Sequence, residues 1–222
     1  MIKNSSPMND IDKIKKLYEW PSELEKIVNG NHNWGFDNGG KIAFKYLLEK
    51  INPKIILEIG SWMGMGSTNF FLKNSDAHLI CIDHWSEDMT DFVSHKYPIE
   101  YVTRDQDLIK DLWYKFSTNV WDYKDRVTPL RKKSLDGLDI LSNLDINIDL
   151  IYLDGDHSYQ MVYDELTICK KNWPNALIFG DDYLWEDHSV KLAVQTYASE
   201  NNLDIAVFYD RIWFLNTKKD LI

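Results

Sequence analysis

The chain is predicted to fold as an α/β domain: a doubly wound, mostly parallel sheet of seven strands that ends in an antiparallel hairpin. Three observations predict this. Short apolar runs alternate with amphipathic stretches of helical period, which implies crossover units with helices on both faces of a parallel sheet. The last two runs lie too close together for a crossover, and a connection that short permits only an antiparallel pair. The length of 222 residues, against about 150 per typical domain, fits one domain with additions.

Residues 1–38 read as an N-terminal arm or lid, polar and lysine-bearing at first, then carrying Tyr18, Trp20, Trp34 and Phe36 around a Gly/Asn-rich patch; residues 39–222 form the main domain. KIAFKYLLEK (41–50) is a helix that Pro53 ends, because the residue before a proline is pushed out of the helical region. KIILEIG (54–60) is a β-branched apolar run halted by glycine, as expected of a strand buried on both faces. A glycine-bearing turn and helix follow in SWMGMGSTNFFLKN, and HLICID (78–83) is the second strand. Leu108, Ile109, Leu112, Trp113, Phe116 and Val120 recur at helical spacing before RVTPLRK (126–132), a weaker third strand. Leu135, Leu138, Leu141 and Leu144 mark a short amphipathic helix, and IDLIYLDG (148–155) is the strongest strand signal in the chain. Met161, Val162, Leu166, Cys169 and Trp173 keep helical period until Pro174, ahead of ALIFGDDY (176–183). VKLAVQTYA is the last helix, and DIAVFYD and RIWFLN form the closing hairpin.

Composition narrows the function. With 25 Lys and Arg against 35 Asp and Glu, the formal charge of −10 repels a phosphate backbone, so nucleic acid is not expected as a partner. A hydrophobic share of 44% with nine tryptophans supports a substantial core and excludes a disordered chain. The only cysteines, Cys81 and Cys169, have no neighbour at metal-ligand or redox spacing, so they read as buried small hydrophobes. The start shows no signal-peptide pattern, and nowhere do about 18 apolar residues run without a charge. A cytoplasmic protein with no membrane partner is the expectation.

In an open parallel sheet, ligands bind beyond the carboxyl ends of the strands, near the point where strand order reverses. The residues there include Gly60, Asp83, Asp154 and Asp181. In LEIGSWMGMGS, Glu58 closes a strand, and Gly60, Gly64 and Gly66 let the backbone turn tightly and approach a ligand before the helix begins. The spacing G-x-x-x-G-x-G matches neither the dinucleotide fingerprint nor a phosphate loop, and a plain turn that packs helix on strand is the alternative. Asp83 ends the next strand, where a carboxylate can accept both hydroxyls of a ribose; capping a following helix is its alternative. LDGDHSY and GDDY put Asp154, Asp156, Asp181 and Asp182 at the ends of two strands expected to be neighbours. Converging carboxylates are costly unless a cation, a proton or a basic partner offsets them, and hard divalent cations such as Mg²⁺ prefer such oxygen donors. The structural alternatives are that Asp156 caps the next helix and that Asp181 and Asp182 form a solvated turn.

Glu58-x-Gly60 with Asp83 beyond the second strand resembles the class I S-adenosylmethionine-dependent methyltransferases over about residues 40 to 216. The resemblance implies a Rossmann-like fold. It also implies that Glu58, Gly60, Ser61 and Gly64 form the loop along the methionine part of S-adenosylmethionine, and that Asp83 holds the ribose. His84 and Trp85 fall where an adenine face is often met, with Trp85 either a stacking partner or a core residue. Ser134 falls where the adenine edge is contacted. The acids resemble those of the metal-dependent O-methyltransferases of the catechol and antibiotic-sugar types. That likeness assigns Asp154, Asp181 and Asp182 to Mg²⁺ or another divalent cation and Asp156 of the DGD triplet to proton removal. His157 is the rival base, since its intrinsic pKa suits neutral pH. Trp185, Glu186 and His188 either face the substrate or lie on the surface.

The resulting expectation is Mg²⁺-dependent O-methylation of a small-molecule hydroxyl on a sugar or natural product. A nucleotide-dependent oxidoreductase and a non-catalytic Rossmann-like binding module are the competing readings. An aromatic arm also suits a contact in a homo-oligomer.

Overall fold

The computed structural model describes residues 9–30, 38–86, 110–184 and 188–216. Trp34, Phe36, Leu108, Ile109, Trp185 and Glu186, singled out above, lie outside them. Seven strands form a single sheet: β1 (Ile55–Ile59), β2 (His78–Asp83), β3 (Val127–Arg131), β4 (Leu150–Leu153), β5 (Leu177–Gly180), β6 (Asp204–Phe208) and β7 (Ile212–Asn216). Their spatial order is β3-β2-β1-β4-β5-β7-β6. The first five are parallel, and β7 runs antiparallel to both β5 and β6. The chain winds outward from β1 in one direction, then restarts at β4 on its other side. The carboxyl ends of β1 and β4 therefore flank the switch point where such sheets bind ligands.

Alternate residues of each strand point to opposite faces, and both faces are covered. Ile55, Leu57 and Ile59 join Ile80, Ile82, Ile151, Leu153 and Ile178 under helices α5 (Ser134–Ser142), α6 (Tyr159–Asn172) and α7 (Ser189–Glu200). Ile56, Leu79, Cys81, Tyr152 and Phe179 face helices α2 (Asn38–Ile51), α3 (Ser67–Asn74) and α4 (Leu112–Val120). This double burial is why the strands read as unbroken apolar runs. Both cysteines are buried and free of disulfides. No helix among the described residues is long and apolar enough to cross a membrane.

Sequence signals fix the helix ends. Ser158 caps α6 by accepting from Met161 N at 3.4 Å, and Lys170 and Lys171 sit in the last turn, where the helix dipole favours positive charge. The described part of the arm begins with α1 (Asp10–Lys15), whose Ile14 is fully buried against the first core layer. Lys13 Nζ donates to Asp145 O at 2.6 Å, and Asp10 accepts from Asn147 N at 2.9 Å. Further along, Trp20 Nε1 donates to Val127 O on edge strand β3 at 2.8 Å, and Val28 N donates to Thr118 Oγ1 on α4 at 3.0 Å. The arm thus passes from one face of the sheet to the other across the β3 edge and covers a strand edge that would otherwise be open to pairing.

Candidate active site

The loop after β1 is held from beneath by a buried acid. Glu58 is 0% exposed, and its carboxylate accepts from Ser61 Oγ at 2.8 Å, Ser67 Oγ at 2.6 Å and Thr68 Oγ1 at 2.6 Å. Burial pushes its pKa up, and the three hydroxyls work in the opposite direction. Glu58 therefore ties strand, loop and helix α3 together from inside, with its side chain beneath the loop that the sequence resemblance places along the cofactor. Gly60 takes φ +86°, and a Cβ there would meet Asp154 O at 2.0 Å. Only glycine fits, and the close approach seats the β1 loop on the β4 loop. Gly64, at φ +72°, donates its N–H to Ser61 O at 2.8 Å.

Asp83 fastens the same loop from the β2 side. Its Oδ2 accepts from Trp62 N at 2.9 Å and its Oδ1 from Trp85 N at 2.8 Å. The His84 backbone N–H also bonds this carboxylate, which leaves about one of its roughly four acceptor positions for a ligand hydroxyl. Burial pushes its pKa up, with the backbone N–H groups of Trp85 and Trp62 pulling back. His84 Nδ1 accepts from Ser86 N at 3.0 Å. Trp85 is 0% exposed, packs against Trp113 and Phe116, and donates its indole N–H to Trp62 O at 2.6 Å. The ring is thus packed in the core and its polar edge is engaged, the second of the two readings the sequence offers for Trp85. Ser134 opens α5, with its hydroxyl directed at Met161 Sδ and Glu165.

At the ends of β4 and β5 the acids separate into two environments. Asp181, 4% exposed, accepts from Arg211 Nε on Oδ1, from Arg211 Nη2 on Oδ2 at 2.6 Å, from Tyr152 OH at 3.3 Å and from Asp182 N at 2.7 Å. The three N–H groups use three of the roughly four acceptor positions of a carboxylate, and the one proton of Tyr152 OH is shared with Asp154. The arginine enters from the turn before β7, which pairs antiparallel with β5 at Gly180 and Trp213. Asp154, His157 and Asp182 form the second environment, each offering one donor atom, and these atoms lie within 4.8 Å of one another. His157 Nε2 is 3.2 Å from Asp182 Oδ2 and 3.8 Å from Asp154 Oδ1, while Tyr152 OH donates to Asp154 Oδ2 at 3.0 Å. The Asp154 pKa is pushed up to about 7, chiefly by withdrawal from water and also by repulsion from Asp181 and Asp182, with His157 opposing. Asp182 is raised by burial and by Asp181. Burial opposes the charged form of His157, but the surrounding aspartates outweigh it and the net shift is upward.

Asp156 does not join this group. It is exposed, and its Oδ1 accepts from Ser158 N at 2.7 Å, the turn that leads into the cap of α6. Sequence reasoning missed Arg211, Tyr152 and Glu165. Arg211 follows a tight hairpin turn and belongs to no motif, so the structure alone links it to Asp181. Tyr152 was concealed within an apolar strand. Glu165 lies on the buried face of α6, 1% exposed, and its Oε1 has no hydrogen-bond partner among the described residues.

Burial pushes the Glu165 pKa up to about 8, with the Ser134 bond opposing. In the unfolded chain this carboxyl ionises near its ordinary value of about 4.3. Between those values the unfolded state has released a proton that the folded state retains, so this group makes stability fall as pH rises. Glu165→Gln is expected to remove that slope and raise Tm by several degrees at pH 8 and little at pH 4.5. Thermal melts across that range check it, and an equal shift at both ends would count against it.

The comparisons with known proteins agree with this architecture. The family model described as "Methyltransferase domain" matches residues 57–183, which run from β1 through the acids after β5. The chain belongs to that family, within the class I S-adenosylmethionine-dependent methyltransferases. Among solved structures, the O-methyltransferase NovP is similar at 18% identity, covering 80% of this chain and 78% of its own, with a TM-score of 0.58. The O-methyltransferase TomG from Streptomyces achromogenes, solved with S-adenosylmethionine, aligns at 14% identity over 81% of this chain and 79% of its own, with a TM-score of 0.56. A TDP-rhamnose 3'-O-methyltransferase of calicheamicin biosynthesis aligns at 12% identity over 81% and 79%, with a TM-score of 0.53. At such identities the likeness is one of fold. No curated protein matches the sequence.

Proposed function

We propose that this protein transfers the methyl group of S-adenosylmethionine to a hydroxyl oxygen of a small polyhydroxylated molecule, with a divalent cation at the acids beyond β4 and β5. The observation that carries this reading is the contact of Gly60 with Asp154, which sets the glycine loop of a methyltransferase domain directly beside a cluster of carboxylates. Hydride transfer gives no reason for such a cluster. S-adenosylmethionine supplies a methyl carbon activated by a sulfonium, and a dication lowers the pKa of a hydroxyl it binds.

The donor set fits a cation. Asp182 and Asp181 both push the Asp154 pKa up, and a positive ion relieves that repulsion. The residues of this chain would divide the remaining work. The loop from Gly60 to Gly66 lets the backbone approach the cofactor, and Asp83 offers its spare acceptor position to the ribose. Asp156, whose Oδ1 is taken by Ser158 N, keeps Oδ2 open to receive the acceptor proton. Alignment of nucleophile and methyl carbon supplies a large part of the rate. A sugar or related natural product as acceptor is supported by the DGD triplet, by the net charge of −10, and by the fold shared with enzymes described as acting in antibiotic biosynthesis.

Calorimetry tests the cofactor directly. S-adenosylhomocysteine is expected to bind and NAD is not, and Asp83→Ala should weaken S-adenosylhomocysteine by at least about tenfold, the equivalent of one bond to a charged acceptor. Binding of NAD in place of S-adenosylhomocysteine would move the protein to the oxidoreductases. Methyl transfer to a panel of hydroxylated acceptors, with and without chelator, then tests the reaction and the cation together.

A further inference from the structure

We propose that the cation site of this chain is built from Asp154, His157 and Asp182, with Arg211 holding Asp181 out of the ligand set, so that the site selects a nitrogen-tolerant divalent ion such as Mn²⁺ over Mg²⁺. The proposal rests on the methyl-transfer reading above and departs from the three-acid set that the sequence resemblance implied.

Satisfiability decides against Asp181. Two of its acceptor positions are filled by the guanidinium of Arg211 and one by Asp182 N, while the single proton of Tyr152 OH is shared between Asp181 Oδ2 at 3.3 Å and Asp154 Oδ2 at 3.0 Å. Binding a metal there would break a bidentate ion pair, the strongest geometry available between side chains. The same guanidinium also lies 3.9 Å from Asp182 Oδ1 through Nε. Asp154, by contrast, accepts from Tyr152 OH on Oδ2, so Oδ1 points to the cluster, and Asp182 directs Oδ2 to the same place. The third atom within reach is His157 Nε2, 3.2 Å from Asp182 Oδ2. Arg211 cancels the charge of Asp181, so two carboxylates and one imidazole face a dication.

A second observation is a small cavity that His157 shares with a buried acid. His157 and Glu165 line one cavity of about 10 Å³, large enough for a single water molecule. Glu165, 1% exposed, has Oε1 without a partner among the described residues. A carboxyl behind an imidazole, directly or through a water, is the arrangement that fixes the orientation of a metal-binding histidine. The donor set then sets the preference. Mg²⁺ favours oxygen and surrenders its waters reluctantly, whereas an imidazole donor shifts preference towards first-row transition ions; Mn²⁺ begins that series, shares the oxygen donors of Mg²⁺ and serves as the probe.

The test uses tag-free full-length protein with Mn²⁺ as the probe. Electron spin-echo modulation of bound Mn²⁺ is expected to show a coupled ¹⁴N nucleus, and Mg²⁺ should displace Mn²⁺ only at about tenfold or greater excess. His157→Gln should abolish the nitrogen signal and weaken Mn²⁺ at least about tenfold. Asp181→Asn should keep the signal and change Mn²⁺ affinity by less than about threefold. S-adenosylhomocysteine calorimetry on each variant reports whether the fold and the cofactor site persist. A missing nitrogen signal in the wild type, displacement by equimolar Mg²⁺, or loss of Mn²⁺ binding in an Asp181→Asn protein that still binds S-adenosylhomocysteine would each overturn the proposal. Failure to bind S-adenosylhomocysteine at all would instead strike the methyl-transfer reading beneath it.

Discussion

Asp154→Asn is expected to lower turnover by about a thousandfold, equivalent to ~4 kcal/mol of transition-state stabilisation, while S-adenosylhomocysteine affinity changes by less than about threefold. The split follows from what each part of Asp154 touches. Its backbone carbonyl lies against Gly60 and supports the cofactor loop, and the substitution leaves that contact in place. Its side chain faces His157 and Asp182, and Tyr152 OH donates to it. An amide removes the negative charge that a cation and an ionising hydroxyl both require, at nearly constant shape. The amide is also uncharged at every pH, so the cost of burying a carboxylate beside Asp181 and Asp182 disappears and the variant should lose none of its fold. Single-turnover rates and calorimetry on the same preparation separate the two effects. Turnover within tenfold of wild type would show that this carboxylate takes no part in the reaction.

The fold was legible because its signals are local. Strands buried on both faces show as apolar runs, and Pro53 and Pro174 mark the helix ends ahead of β1 and β5. The short link between Phe208 and Ile212 left only an antiparallel pairing, which β6 and β7 adopt. The site was legible only at the level of which strand ends meet. Position in a parallel sheet brings the β1, β2, β4 and β5 termini together whatever residues they carry, so Gly60, Asp83, Asp154 and Asp182 could be placed beside one another. What each side chain does there depends on partners far away in sequence. Glu58 is tied beneath its loop by Ser67 and Thr68, and Trp85, readable as a platform or as core, packs against Trp113 and Phe116. Asp181 and Asp182 are adjacent and chemically identical in the sequence. They differ because a residue 30 positions beyond Asp181 gives that carboxylate a bidentate guanidinium and comes no closer than 3.9 Å to Asp182. Charge compensation of that kind has no local pattern, which is why a count of four acids overstates the negative charge the site presents.

Gly60→Ala is expected to be the most damaging single change in the protein outside its acids, lowering unfolding free energy by about 4 kcal/mol or more, the range of exceptional point mutants. Two penalties add. The backbone at φ +86° lies in the left-handed region, which costs a residue with a Cβ about 1–2 kcal/mol. The new methyl would also sit 2.0 Å from Asp154 O, 2.5 Å from Asp154 C and 2.8 Å from Gly155 Cα, all backbone atoms with no rotamer to move into. Relief requires parting β1 from β4, whose pairing continues past the strand ends through Asp154 N donating to Ile59 O at 2.9 Å. Gly155→Ala is the control, because its Cβ would meet only Ile59 Cγ2 at 3.2 Å, a side-chain atom able to shift by a few tenths of an ångström. Urea midpoints should therefore fall steeply for Gly60→Ala and by no more than about 1 kcal/mol for Gly155→Ala. At temperatures where Gly60→Ala remains folded, it should lose S-adenosylhomocysteine and Mn²⁺ affinity together, since parting the two strands moves the glycine loop and Asp154 at once. Loss of one without the other would mean that the cofactor loop and the acid cluster are independently supported, and that the close approach of Gly60 to Asp154 is packing alone.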